Sequence, residues 1–290
     1  MAEQADLAAF DRAAEVLRLN SLSADAIARM AGDRLRVDDD VSALYVHFAR
    51  SVASAVSERV REGGTATLIL PWGPIEQYPV LGNLLVNERI SLRDSTLFFM
   101  DEYADTSGEA VSDCHPLSFR GAALRWIGTL PESIRPIPSN VVFPNERNAS
   151  SIEHRIEDLG GVDVCFGGIG IHGHIAFNEP EPGVSNSGVR LTELNQFTRT
   201  INAIRAGVGG DLENFPQAAW TLGIRQCLSA RRVELYCRSD FGLDWAKTVL
   251  RLALCGTPGD DYPVTWIRRH PNYRIVTDRA TLRRPLVRLP

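Results

Sequence analysis

Three short apolar runs, TATLIL at 65–70, STLFFM at 95–100 and VDVCFGG at 162–168, constrain the fold of this chain more than any other feature. Each has the length of a strand, lacks the alternation of a half-exposed one, and is bounded by Gly, Pro or acidic residues, as strands covered on both faces are. Segments of helical spacing separate them. The spacing predicts helices over 41–62 (ended by Gly63–Gly64), 75–88, 116–127, 149–158 and 241–255. Further strands are expected at 141–143, near 217–223, at 232–237 and near 264–276. Strands alternating with helices imply an α/β fold, a three-layer Rossmann-like and mostly parallel sheet with helices on both faces. Ahead of it, ADLAAFDRAAEVLRL and SADAIARMAG read as two short helices, the second starting on a Ser cap and ending on Gly. The expected division is an N-terminal helical extension, 1–37, and one catalytic domain, 38–290.

The 290 residues are long enough to bury a full core, and a formal net charge of −5 gives no reason to expect nucleic acid or an anionic membrane as partner. No apolar run approaches a bilayer span, and the start lacks the basic and apolar regions of a signal peptide. The five cysteines are far apart and form no C-x-x-C pair, which fits reduced thiols in a cytoplasmic protein. Lys247 is the only lysine among 31 basic residues, so any lysine-dependent role falls to it.

Ligands of open parallel sheets bind beyond the carboxyl ends of the strands. Three segments fall there: Pro71-Trp72-Gly73-Pro74-Ile75-Glu76, Met100-Asp101-Glu102-Tyr103, and GGIGIHGHIAFNEP at 167–180. In the last, Gly168, Gly170 and Gly173 let backbone approach a ligand closely. His174 can move protons near neutral pH, and Glu179 can orient its ring. Asp101 is a carboxylate placed to take a proton next to a carbonyl, the step an isomerase needs.

These segments resemble the glucosamine-6-phosphate deaminase (isomerase) family, which shares its fold with 6-phosphogluconolactonase and, more distantly, ribose-5-phosphate isomerase. The resemblance spans about 41 to 280 and is carried by Phe99–Tyr103, His115-Pro116 with Ser118-Phe119, Gly173–Pro180 and His270-Pro271. It implies conversion of an amino-sugar phosphate and water to a ketose phosphate and ammonia, without a cofactor or metal. It implies Asp101 as the base between C2 and C1, and His174, helped by Glu179, as the ring-opening residue. Substrate contacts are then expected from Trp72, Gly73, Glu102, Gly168, Gly170 and Gly173. Phosphate contacts are expected from Arg205 (or Arg199) on a lid over 181–212, and from Lys247 in a late helix, although Lys247 lies a turn and more into the segment 241–255. A homo-oligomer is the family expectation.

Two departures bear on the substrate. The first loop holds Trp72, Pro74 and Glu76 where the family has a hydroxyl and free amides, so a phosphate there would lose donors and meet a carboxylate. Trp72 suits either stacking on a sugar face or filling the core. His172 stands where the family has an Asp of the ring-opening relay, and it is included here among the candidate catalytic residues. His172 and His174 also form an H-x-H pair that suits a divalent metal with Glu179 or Asp101. Lactone hydrolysis and sugar binding without catalysis are the other readings, the first needing His174 but little of Asp101.

Overall fold

The computed structural model describes residues 10–239, 242–287 and 289. Helices α1 (Arg12–Ser21) and α2 (Ala24–Ala31) lead into strand β1 (Leu35–Asp38) and the long helix α3 (Val41–Arg61). Next come β2 (Thr67–Leu70), α4 (Gln77–Asn87), β3 (Thr96–Phe99), β4 (Asp101–Ala104), α5 (Phe119–Thr129), β5 (Val141–Val142), α6 (Ile152–Asp158) and β6 (Val164–Gly168). The last third holds β7 (Arg190–Glu193), α7 (Gln196–Ala206), β8 (Ala218–Thr221), α8 (Ile224–Leu228), β9 (Arg232–Cys237), α9 (Trp245–Cys255), β10 (Tyr273–Asp278) and α10 (Arg279–Leu282). Polar residues ahead of the helices set their starts: Ser23 accepts from the Ala26 N–H and Asp40 from that of Ala43.

Seven strands form one sheet in the order β1-β10-β9-β6-β2-β3-β5, every pairing parallel. Alternate side chains of one strand feed two cores. Leu68 and Leu70 belong to the core that holds Leu44 and Phe48 of α3 and Leu81 of α4, while Ile69 belongs to the core on the other face, which holds Leu19, Ile27 and Leu250. This is the three-layer α/β arrangement the apolar runs imply. The chain grows outward from β2 to β3 and β5, then returns to the other side of β2 with β6. Strand order reverses between β2 and β6, which puts the crevice at their carboxyl ends.

Within the expected extension, the part of its first helix before residue 10 lies outside the described residues. Its described part rests on the α9 side of the sheet, where Arg12 meets Asp261 at 2.7 Å and the carbonyl of Thr257 at 2.8 Å. The boundary at 37/38 falls inside β1, which the spacing did not predict and which pairs with β10 at the edge of the main sheet. Among the described residues no helix is long and apolar enough to cross a membrane.

A second sheet, β4-β8-β7, is antiparallel, and sequence reading missed most of it. Met100 is the crossing point: its N–H donates to Leu70 of the main sheet and its carbonyl accepts from Leu222, just past β8. Strand β7 and helix α7 occupy the stretch expected as a lid, 181–212. The terminal strand is shorter than expected. Pro263–Arg269 is a 3-10 turn and β10 starts at Tyr273.

Glu102 was expected to contact substrate, and the structure assigns it otherwise. It is fully buried, its Oε1 accepting from the N–H groups of Tyr103 and Phe119, its Oε2 from Ser118 Oγ and the N–H of Arg120. Both oxygens are spent on fastening β4 to the start of α5. Glu102→Ala would leave several of these donors without a partner, so a loss of at least about 2 kcal/mol is expected in urea unfolding. An unchanged midpoint would show the fastening to be dispensable.

Candidate active site

The loop after β6 is bent by two glycines. Gly173 has φ +66°, and its carbonyl accepts from the N–H of Val264. At Gly170 a Cβ would sit 1.8 Å from His174 Nε2, so only glycine leaves room for the ring. Ala176, a non-glycine residue, is held at φ +52°, and residues so held cluster at functional sites. Asn178, fully buried, locks this shape: its Nδ2 donates to the carbonyls of Ile175 and Leu222, and its Oδ1 accepts from Ser187 Oγ and Arg190 Nη1.

That shape aims the Phe177 N–H at Asp101 Oδ1, 2.9 Å away, where Thr221 Oγ1 also donates at 2.6 Å. Asp101 is 8% exposed, and burial pushes its carboxyl up to about 7 against the opposing pull of Thr221, the Phe177 N–H and His174. Such a group is half ionised near neutrality, as a general base should be. His174 Nδ1 lies 3.5 Å from Glu179 Oε2. Burial pushes Glu179 up, but His174, Thr198 and His172 outweigh it and hold the carboxyl below its ordinary value. A persistent carboxylate is thus paired with the imidazole.

His172 reaches this group less directly. Its ring stands edge-on to Phe197 of α7, centroids 4.9 Å apart, and burial, helped by His174 and opposed by Glu179, lowers its proton affinity. Among the described residues no group of three or more His, Cys, Asp or Glu side chains is arranged to hold a metal ion. His172 turns to Phe197 and His174 to Glu179.

Trp72 takes the second of its two expected roles. It is buried against Tyr78 (4.4 Å between centroids), Phe99 and Trp126, and fills the core. Gly73 lies beside Gly168, its carbonyl 3.7 Å from where a Gly168 Cβ would stand, so the first and third loops meet. Glu76 faces Arg238, 3.8 Å away at the carboxyl end of β9. Sequence reading missed Arg238, although its place directly after an apolar strand was visible. It also missed Thr221 and Phe177 as partners of Asp101, which nothing local in the sequence marks.

Lys247 is in the first turn of α9, not later, because the helix begins at Trp245 rather than 241. It is buried and pairs with Asp244 at 2.8 Å. Arg205 of α7 lies over the ring of Trp245, two residues before Lys247 in α9, at 5.8 Å. Burial drives the Tyr103 phenol far up; Asp101 and Glu102 add to this and Arg205 opposes it, so Arg205 and Asp101 share one neighbour. Arg199, the alternative to Arg205, lines a cavity of about 500 Å³ with Asp105, Leu191, Glu193 and Gln217.

No family model matches the chain. It is 31% identical over 202 residues to a glucosamine-6-phosphate deaminase of Caenorhabditis elegans, covering 69% of this chain and 74% of that one. It is 30% identical over 244 residues to glucosamine-6-phosphate deaminase 1 of Bacillus subtilis, covering 82% of this chain and 96% of that one. Among solved structures, a monomeric glucosamine-6-phosphate deaminase aligns with a TM-score of 0.73 at 27% identity, over 86% of this chain and all of that one. The 6-phosphogluconolactonase of Leishmania guyanensis aligns over 86% of this chain and 97% of that one, at a TM-score of 0.61 and 16% identity, a likeness of fold.

Gly170→Ala should leave circular dichroism unchanged while displacing the His174 ring. A displacement of about 1 Å can cost about a hundredfold in turnover. Wild-type turnover in this variant would mean that the ring does not work from this position.

Proposed function

Because the chain belongs to the glucosamine-6-phosphate deaminase family, we propose that it converts an amino-sugar phosphate and water to a ketose phosphate and ammonia. One observation carries the assignment of roles: a buried carboxylate poised near neutrality, Asp101, in electrostatic contact with a carboxylate-paired imidazole, His174.

The steps follow from those groups. His174, its Nδ1 turned to Glu179, uses Nε2 to take the proton of the anomeric hydroxyl and return it to the ring oxygen, which opens the sugar. Asp101 uses Oδ1 to hold the Phe177 N–H and Thr221, which leaves Oδ2 for substrate. It removes the proton from C2 and delivers it to C1, while a proton passes from the amine to O1, turning the 2-amino aldose into a ketose imine. Water adds to that imine and ammonia leaves.

Arg205, over the Trp245 ring, and Lys247, in the first turn of α9, are the cations this reading gives to the phosphate. Arg238 bears on the acidic loop. It stands 3.8 Å from Glu76, which lessens the repulsion this added carboxylate would offer a dianion. Lactone hydrolysis is supported by likeness of fold alone.

The reading is tested by ammonia release over phosphorylated and free amino sugars. Asp101→Asn should lower turnover by about 10²–10⁴-fold. Near-normal release from that variant would sink the assignment. Since Asp101 acts ionised, kcat/KM of the wild type should fall as pH drops below about 7. The same burial has a stability signature. A carboxyl raised by folding favours the fold fully below the ordinary carboxylate range, and that contribution disappears as pH rises through about 7. Asparagine carries no such loss. The melting temperature of Asp101→Asn relative to wild type should therefore climb between pH 5 and pH 8; a constant difference would contradict the burial argument.

A further inference from the structure

One amide side chain joins α7 to the loop after β6. Asn195 immediately precedes α7, and its Oδ1 accepts from the N–H groups of Phe197 (3.0 Å) and Thr198 (2.9 Å), the contact that starts the helix. Its Nδ2 donates to Oε2 of Glu179, the oxygen that lies 3.5 Å from His174 Nδ1. The two backbone donors dictate which end of the amide is oxygen, so the nitrogen must face the carboxylate. The charged and titratable groups around Glu179 are His174 and His172 from its own loop, with Asp101 of β4 acting on His174; Thr198 of α7 adds its hydroxyl. The next residues of α7 continue the contact: Phe197 packs on His172, and Thr198 is fully buried.

We propose that Asn195 is a positioning residue for the His174–Glu179 pair, a single amide that both starts helix α7 and holds the carboxylate. The segment over the site and the ring-opening pair are thereby set in place together. This rests on the roles given to His174 and Glu179 above. An amide neither gives nor takes a proton in the working range, so Asn195 acts only through Glu179. Its N–H also tempers the carboxylate. Without it, Oε2 draws a proton onto the His174–Glu179 pair at higher pH, and a pair that holds its proton opens fewer rings.

Two substitutions separate this role from helix capping. Asn195→Ser and Asn195→Asp both keep a capping oxygen, and both remove the Nδ2 donor that reaches Glu179. Each should melt close to the wild type. Each should lose about tenfold to a hundredfold in kcat, with a smaller change in KM, as expected for a lost hydrogen bond to a charged group. The acid limb of kcat/KM should move to higher pH, further in the Asp variant. Wild-type kcat and profile in both variants would make Asn195 a helix cap only. A loss confined to the Asp variant would reflect its added charge alone, and it too overturns the proposal. A second readout needs no turnover: carbon-13 NMR of the Glu179 carboxyl, assigned with Glu179→Gln. Its titration midpoint should rise in Asn195→Ser, and an unmoved resonance overturns the positioning role even if no amino sugar is deaminated, a result that by itself would sink only the functional reading.

Discussion

One carboxylate oxygen, Oδ1 of Asp101, ties together the parts of this molecule that have to agree. It sits at the start of β4, takes the hydroxyl of Thr221 from the end of β8, and takes the N–H of Phe177 from the loop after β6. Two strands of the small sheet and the catalytic loop therefore share one acceptor. The arrangement works against ionisation, since burying a carboxylate in a poorly solvated place is costly and two donors recover only part of that cost. The unfavourable balance is what holds the group near neutrality. A fully solvated Asp would be a weaker base, and one with more donors would be weaker still.

Met100 explains how this meeting point comes about. Its N–H belongs to the parallel sheet and its carbonyl to the segment after β8, so the chain changes sheets within one residue. The next side chain is then delivered to the boundary between the sheets. Asn178 does the corresponding work for the loop after β6, with four hydrogen bonds that reach the loop itself, the residue just past β8, the segment before β7 and the first residue of β7.

The central strands of the main sheet were legible in the sequence because a strand covered on both faces is mostly apolar, as in TLIL and TLFF, whereas the edge strand β1, LRVD, was not. The small sheet was not. Strands β4 and β7 read DEYA and RLTE, whose polar residues are satisfied by distant partners such as Ser118 and the start of α5, or by solvent. Local pattern carries no trace of such partners. Asp101, His174 and Glu179 were legible from their places beyond strand ends. Glu102 was misread for the same reason, because position beyond a strand does not reveal whether a carboxylate's donors come from a ligand or from a helix start. Trp72 shows the converse: a departure in a loop that the structure resolves as packing, with Glu76 beside it balanced by Arg238 from a strand more than 150 residues away.

Lys247 gives the molecule one more property. Its amine is the only lysine amine in the chain, is buried in the first turn of α9, and is pinned by Asp244. Reagents that acylate amines therefore meet a single side-chain target, and it lies beside the place assigned to the substrate's phosphate. The speed of its acylation is a built-in gauge of how often the Lys247–Asp244 pair opens, readable by mass without any label being introduced.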